Sequence, residues 1–584
     1  MSSETVSSLD PLYLTMAQAL QKALVELGLA DASVEKIAAE LTTPPKVEMG
    51  HFAFPCFQYA KALQKKPPEL AQELAQKLKA PFSKAQVAGP YLNLFLSPQE
   101  LGHRVIAPLQ KGQLLKRTPQ KIDPILIEYS QPNTHKELHV GHMRNMCLGN
   151  ALVRILRYTG RPVVANTYPG DVGTHVAKCL WYMKYHNSQA APAEGKGEWL
   201  GKMYSLAHNK LEAERGTPQE EVNRQQLTAI LKQLEQKSGE FYDLWQQTRQ
   251  WSIDLMKALY TWADVQFDIW YWESEVDSAS VKAAEELYQQ GKLTKSEGAI
   301  GLDLEAEGLG FCLLLKTDGN GLYATKDIEL ARRKFATYKP SRSIYVVDMR
   351  QELHFKQVFA VLKNIGFAEA EKCFHLKYNF VELPDGAMSS RKGNIVPIME
   401  LIHKMRDHVK TYYLARYKEE WSQQEIDETA DMVTHGAVKY GMNAMDPNKK
   451  IIFKMEEWLK LDGESGPYIQ YSYARIQSLL QKIPQTSSTV NFAKLEMPVE
   501  LELSLKLAQF NKTVESCALN LRTSTLCIYL YETAKLFNSF YHDCPIGKID
   551  DVELQQARLA LAQATGDLLK KGLELLGIPA PQKM

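Results

Sequence analysis

His139, Gly141 and His142 are the residues of this 584-residue chain whose types and spacing most clearly suggest chemistry. They close the segment EYSQPNTHKELHVGH, residues 128–142, which follows the apolar run 125–127. The pattern predicts a strand, a turn and then a helix with both histidines in its first turn. The N-terminal turn of a helix carries unpaired N–H groups and partial positive charge, so it attracts anions. Two imidazoles add donors for phosphate oxygens, and a glycine lets a flat base approach the backbone. These are the parts of a site for ATP chemistry. Taken alone, they also describe a pair of histidines that cap a helix and bind nothing.

Two further groups of residues suggest partners for that site. Residues 388–394, MSSRKGN, gather hydroxyls, cations and a glycine into a loop. Phosphoryl chemistry relies on positioning and on cationic stabilisation of charge, although most such strings are solvated basic turns. Tyr323 and Asp327 in GLYATKDI are four apart, so a helix puts them on one face. A pair of carboxylates backed by a tyrosine or an amide suits a planar guanidinium. The bland alternative is a helix N-terminal acid beside a core tyrosine.

The elements that must position these residues form a multidomain α/β chain. Residues 1–115 read as a small α+β unit, with helices over 12–29 and 68–78 and an alternating strand over 86–96. A charged linker covers 111–121. Residues 116–400 read as doubly wound, with strands at 124–127, 162–166 and 343–347 and helices at 143–159 and 351–365. Ligands of such sheets bind beyond the carboxyl ends of the strands at a switch point. The glycine-rich dinucleotide and P-loop motifs are absent. A polar stretch at 189–238 begins a helical insertion over about 189–300. Helices at 401–417, 426–443, 468–481 and 501–541 fill a connector, 401–460, and a C-terminal domain, 461–584.

Bulk properties add mainly exclusions. Net charge is +1, and residues 462–584 carry 12 Lys+Arg against 13 Asp+Glu, so charge does not advertise an RNA partner. No run approaches the ~20 apolar residues of a membrane span, and the N-terminus has no secretory pattern. The expectation is a cytoplasmic protein with no membrane association. Eight scattered cysteines form no CxxC pair, which points to reduced thiols and to no metal-ligating residues.

HVGH and MSSRKGN resemble the HIGH and KMSKS signatures of class I aminoacyl-tRNA synthetases, and the longer strings around them resemble those of arginyl-tRNA synthetases. The resemblance covers nearly the whole chain. It implies a Rossmann-type catalytic domain, an N-terminal α+β tRNA-binding module and an all-helical anticodon-binding domain. The implied substrates are L-arginine, ATP with Mg2+, and arginine-accepting tRNA, handled by a monomer that needs bound tRNA before it activates arginine. His139 and His142 would contact ATP phosphates, and Gly141 would pack against adenine. Met388, Ser389, Arg391 and Lys392 would complete the ATP site. The loop departs from KMSKS, with Ala387 and Ser390 at the two lysine positions; arginyl enzymes with this departure carry a lysine three residues before HIGH, here Lys136. Lys136 and Lys392 are therefore expected to share the catalytic work.

On the amino-acid side, Tyr323 and Asp327 match the element that reads the arginine side chain, and Gln351 matches a pocket-lining position. Glu128 and Asn133 match positions that hold the substrate backbone and α-amino group. YPGDVG, 168–173, resembles the family's N-D-W-G segment with Val172 in place of tryptophan, which leaves Asp171 as either a site residue or a turn acid. His354 and Gln357 read as structural or adenosine-side residues. Residues 464–476 and 576–584 resemble the start and end of the anticodon-binding domain. Tyr468, Tyr471 and Met584 are the expected tRNA contacts, and at least one of Tyr468, Tyr471 and Tyr473 should pack the bundle instead. Two rivals stay open: a different HxGH nucleotidyltransferase or class I synthetase, and a non-catalytic tRNA-binding paralogue, to which Ala387 lends support.

Overall fold

Among the described residues, three strands and four α-helices, two of them longer than two turns, form the N-terminal unit over residues 11–96. In the computed structural model, which describes residues 11–384, 386–387, 396–483, 489–547 and 549–584, helices Pro11–Glu26 and Pro67–Lys77 accompany strands β1 (Phe52–Pro55), β2 (Phe82–Ala88) and β3 (Tyr91–Leu96) in the order β1-β3-β2. The single strand expected over 86–96 is instead part of an antiparallel hairpin. Its turn holds Gly89 at φ +59. Apolar alternation continues across the turn, so period alone concealed the break.

The central domain is built on a five-stranded parallel sheet. Its strands are β4 (Ile125–Glu128), β5 (Val163–Thr167), β6 (Ile269–Trp270), β10 (Arg342–Asp348) and β11 (Cys373–Tyr378), in the order β11-β10-β4-β5-β6. Between β6 and β10 the chain adds a small antiparallel sheet, β7 (Thr294–Ser296), β8 (Ala299–Asp303) and β9 (Phe311–Leu315). Leu126, Ile127, Ala165, Ile344 and Val346 are buried, as expected where helices cover both faces of a parallel sheet. From β4 the chain moves outward through β5 to β6, then returns to the other side of β4 for β10. That reversal splits the helices that follow β4 and β10 and opens a crevice at their carboxyl ends. The Rossmann-type expectation is met.

The insertion differs from its expected extent. Helices Lys196–Ala213, Pro218–Gln236 and Glu240–Trp262 fill its first part, but β6 then rejoins the main sheet inside the span expected to be helical. Two residues cannot display a period, which is why this strand left no trace in the pattern.

The remaining chain is mostly helical. The long helix expected over 501–541 is three helices, Pro498–Ala508, Phe510–Asn520 and Ser524–Asp543. The second break is Leu521 at φ +53, a left-handed position usually announced by glycine or asparagine. Helix Val552–Leu575 runs through the centre of this domain, with Leu559, Leu561, Leu568, Leu569 and Leu573 all buried. The N-terminal module rests on it and its neighbours. Gln110 bonds Gln563 at 2.9 Å, Lys512 reaches the Leu41 carbonyl at 2.7 Å, and a Cβ on Gly102 would lie 2.0 Å from the Phe492 ring.

Candidate active site and RNA-facing cleft

β4 runs into helix Val140–Tyr158, and His139 is its N-cap. The two histidines interlock. His139 Nδ1 accepts the Gly141 N–H at 3.1 Å, His142 Nδ1 accepts the His139 N–H at 3.2 Å, and the ring centroids are 4.1 Å apart. The Val140 N–H donates to the Val396 carbonyl and that of His142 to the His139 carbonyl. These backbone donors, expected to receive a phosphate, are already engaged. Burial is the main cause that lowers both histidines, His139 to about 4 and His142 well below its ordinary value, with Lys136 adding to both and Arg350 to His139. Both rings are therefore neutral near pH 7. A neutral ring that accepts at Nδ1 carries its proton at Nε2, so each histidine offers one Nε2–H donor. Gly141 has a second reason to be glycine, because a Cβ there would lie 2.9 Å from Cε1 of His139.

The residues at 388–395, including Met388, Ser389, Arg391 and Lys392, lie outside the described residues. Both flanks of the segment are anchored. Upstream, β12 (Val381–Leu383) pairs with β13 (Gly386–Ala387) and with β14 (Ile451–Ile452), a strand in a region expected to be helical. Downstream, Val396 and Ile398 bond to Val140 and Leu138. The downstream flank therefore runs beside the two histidines. Lys136 lies 5.2 Å from the Tyr204 ring centroid, within electrostatic reach of both histidines. Arg350, clamped by both oxygens of Asp348 at 2.9 and 2.8 Å, adds a cation near His139 that sequence reasoning missed.

On the other side of the crevice, carboxylates gather. Glu128, at the end of β4, is buried and pairs with Lys334, itself fully buried on helix Tyr323–Tyr338, and accepts from Asn166 at 3.1 Å. Lys334 falls on the apolar face that carries Ile328, Ala331 and Phe335, and a lysine on such a face requires a buried partner. That signal was present in the sequence and went unread. Asp171 is fully buried and held by Arg249 at 2.7 Å and by Ser274, which makes it a structural acid. Glu273 pairs with Lys326 at 2.6 Å. Asn133 bridges to Gly170, where a Cβ would meet its Oδ1 at 2.3 Å and Glu273 Oε2 at 3.0 Å.

Tyr323 and Asp327 do share one helix, four residues apart, and Tyr323 is exposed. Asp327 Oδ2 meets His354 Nε2 at 2.6 Å, which places His354 beside the Tyr323–Asp327 pair. Gln351 sits exposed three residues earlier, at the start of helix Glu352–Asn364. Gln357 is structural and donates to the Leu309 carbonyl. The Tyr168 hydroxyl is buried with no hydrogen-bond partner among the described residues. Burial, then Asp327, Glu273, Glu128 and Asp171, hold its phenol well above the ordinary value. Four carboxylates thus lie within electrostatic range of this hydroxyl. Lys334, Lys326 and Arg249 match three of them; among the described residues Asp327 has only an imidazole.

In the helical domain, Tyr471 and Met584 line one cleft of about 720 Å³, together with Tyr417, Trp421, Arg475 and Tyr541. Tyr417 and Trp421 stack at 4.4 Å, and Arg475 lies over Tyr471 and Tyr541 at 4.9 and 5.3 Å. Tyr468 is not part of this cleft. Its hydroxyl accepts from Asn538 at 2.9 Å and its ring packs on Tyr531. Tyr473 is buried.

A crevice of this kind at the switch point of a parallel sheet, joined to a helical domain with an aromatic cleft, is the design of the class I aminoacyl-tRNA synthetases. Residues 104–454 match the family model of the class I (R) tRNA synthetase catalytic domain, 14–96 the arginyl-tRNA synthetase N-terminal domain, and 469–584 the DALR anticodon binding domain. The chain belongs to the arginyl-tRNA synthetase family. It is 58% identical over 555 residues to the arginine–tRNA ligase of Bdellovibrio bacteriovorus, covering 95% of each chain. It is 34% identical to that of Clostridium perfringens, covering 95% of this chain and 97% of the relative. The solved arginyl-tRNA synthetase of Thermus thermophilus superposes with a TM-score of 0.81 at 27% identity, over 98% of this chain and all of that one (100%).

Proposed function

We propose a division of labour for the arginine–tRNA ligase reaction of this family. The arginine carboxylate attacks the α-phosphate of ATP, releasing pyrophosphate and forming arginyl-adenylate. The 2′-hydroxyl of the terminal adenosine of its tRNA then attacks the arginyl carbonyl, forming the ester and releasing AMP. The Nε2–H groups of His139 and His142 donate to phosphate oxygens as negative charge grows there, the kind of preorganised donor whose removal costs about 10²–10³ in rate. Lys136 supplies cationic charge, shared with Lys392, while Gly141 faces adenine; Met388, Ser389 and Arg391 complete the ATP contacts. Among the described residues no cluster of three His, Cys, Asp or Glu side chains suits a metal ion. Magnesium would arrive on the phosphates of ATP, which it prefers to all-protein cages.

Asp327 carries the amino-acid half of this reading. Among the described residues it has no fixed lysine or arginine, so a substrate guanidinium supplies the missing charge. Tyr323 and Gln351 flank it, and Glu128 and Asn133 hold the arginine backbone. Tyr471 and Met584 face the tRNA across the aromatic cleft, where ring faces suit splayed-out bases. Tyr468 packs the bundle. No described helix is long and apolar enough to cross a membrane; a cytoplasmic monomer with domain limits near 115, 400 and 460 is part of the proposal. The test is arginine-dependent ATP–pyrophosphate exchange with and without arginine tRNA. Exchange only with tRNA is the expected result; no exchange in either case, in folded protein, would favour the binding-paralogue reading.

A further inference from the structure

We propose that His354 is a positioning residue for the arginine-reading carboxylate of Asp327. The inference rests on the role given to Asp327 above and adds a residue to it. The imidazole Nε2 lies 2.6 Å from Asp327 Oδ2, and the two side chains are 24% and 21% exposed. Both therefore stand at the wall of the crevice, open enough to meet a ligand and covered enough to strengthen the bond.

The surroundings explain why this acid needs a dedicated holder. Lys326, its neighbour in sequence, is committed to Glu273 and Asp277 at 2.6 and 2.8 Å. Arg332 and Arg333, further along the same helix, pair with Glu329. Asp327 Oδ1 has no partner among the described residues. A carboxylate offers about four lone-pair sites, so one imidazole bond fixes the plane of the group and leaves Oδ1 and half of Oδ2 for a guanidinium. A lysine or arginine at this position would neutralise the acid and compete with the substrate for it. An imidazole can hold the acid without a permanent charge.

The imidazole is itself held. It stands in the first turn of helix Glu352–Asn364, directly after β10, and packs edge-on against Phe355 at 5.3 Å and 84°. Gln351, three residues earlier, lies on the same side of that turn. One helical turn thus presents the pocket-lining amide and the holder of the pocket's acid together.

The test is steady-state pyrophosphate exchange by the full chain, with arginine tRNA present, for His354→Phe and His354→Gln. Phenylalanine fills the space of the ring without a donor, and glutamine keeps a donor near Nε2. His354→Phe should raise the KM for arginine about tenfold, the scale of a hydrogen bond to a charged group. The ATP KM and kcat should change less than about twofold by the same reasoning, because the bond is remote from the reacting phosphate. His354→Gln should recover most of the loss. On an Asp327→Asn background, His354→Phe should have no further effect, since the two act as one unit. An arginine KM raised equally on that background, or a rise in the ATP KM instead, would overturn the proposal and make His354 an adenosine-side residue. If Asp327→Asn alone leaves the arginine KM unchanged, the role of Asp327 fails first.

Discussion

The crevice and the aromatic cleft prepare for their ligands in opposite ways. In the crevice the polar groups largely satisfy one another: Glu128 with Lys334, Asp171 with Arg249, Glu273 with Lys326, His142 with the His139 N–H and His139 with the Gly141 N–H. Among the described residues, the atoms left for a ligand include Nε2 of each histidine, Oδ1 of Asp327 and the Tyr168 hydroxyl. The cleft of the helical domain offers broad surfaces instead, Tyr417 on Trp421 and Arg475 across Tyr471 and Tyr541. Chemistry on a phosphate needs donors fixed before the reaction, whereas stacking on bases tolerates small displacement because every base has a π face. Changing one atom should therefore break the first region and only weaken the second.

The largest effect should come from breaking the crevice's internal pairing. Lys334→Met leaves Glu128 buried and unpaired, which costs about 3–5 kcal/mol, and thermal unfolding should show it as a lowered midpoint. His142→Ala keeps the fold but removes one Nε2–H donor; single-turnover adenylate formation should slow about 10²–10³-fold with little change in arginine affinity. Tyr471→Ala should raise the KM for tRNA about tenfold, the value of one stacked base, and leave arginine and ATP kinetics alone. A loss of pyrophosphate exchange larger than that of His142→Ala would mean that the cleft does more than grip RNA.

The smallest effect is graded and depends on pH. Burial lowers His139 to about 4 and His135 and His175 to about 3, so all three are neutral in the folded crevice. Unfolded, each takes a proton near the ordinary value of about 6.5. Stability tied to these groups is thus complete above that value and declines as pH falls toward 4. Residues 461–584 contain a single histidine, His542, and it is exposed. Hydrogen exchange at pH 5 should therefore open the crevice more than the helix Val552–Leu575, and equal opening would sink this asymmetry.

The legible parts of the molecule were local and periodic. Ile125–Glu128, helix Val140–Tyr158 and the Tyr323–Asp327 spacing follow from short patterns whose signal lies within a few residues. The unread parts depend on distance or on a single backbone angle. Glu128 meets Lys334 across 206 positions, Asp171 meets Arg249 across 78, and Asp327 meets His354 across 27. Leu521 breaks a helix without a glycine, and β6 is two residues long. Pairing of buried charge is a property of the assembled core. From one sequence it is visible only as a misfit, such as the lysine on the apolar face of helix Tyr323–Tyr338.

The contacts that seat the N-terminal module on the helical domain have a practical consequence. Gln110 with Gln563, Lys512 with Leu41 and Phe492 against Gly102 hold together pieces that are far apart along the chain. The charged stretch at 111–121 that joins the module to the sheet is thus one of two attachments, the other being non-covalent. Cutting it should leave two fragments that co-elute as a nicked particle. The protein is a natural candidate for split-chain reconstitution, with the first 110 residues supplied as a separate polypeptide.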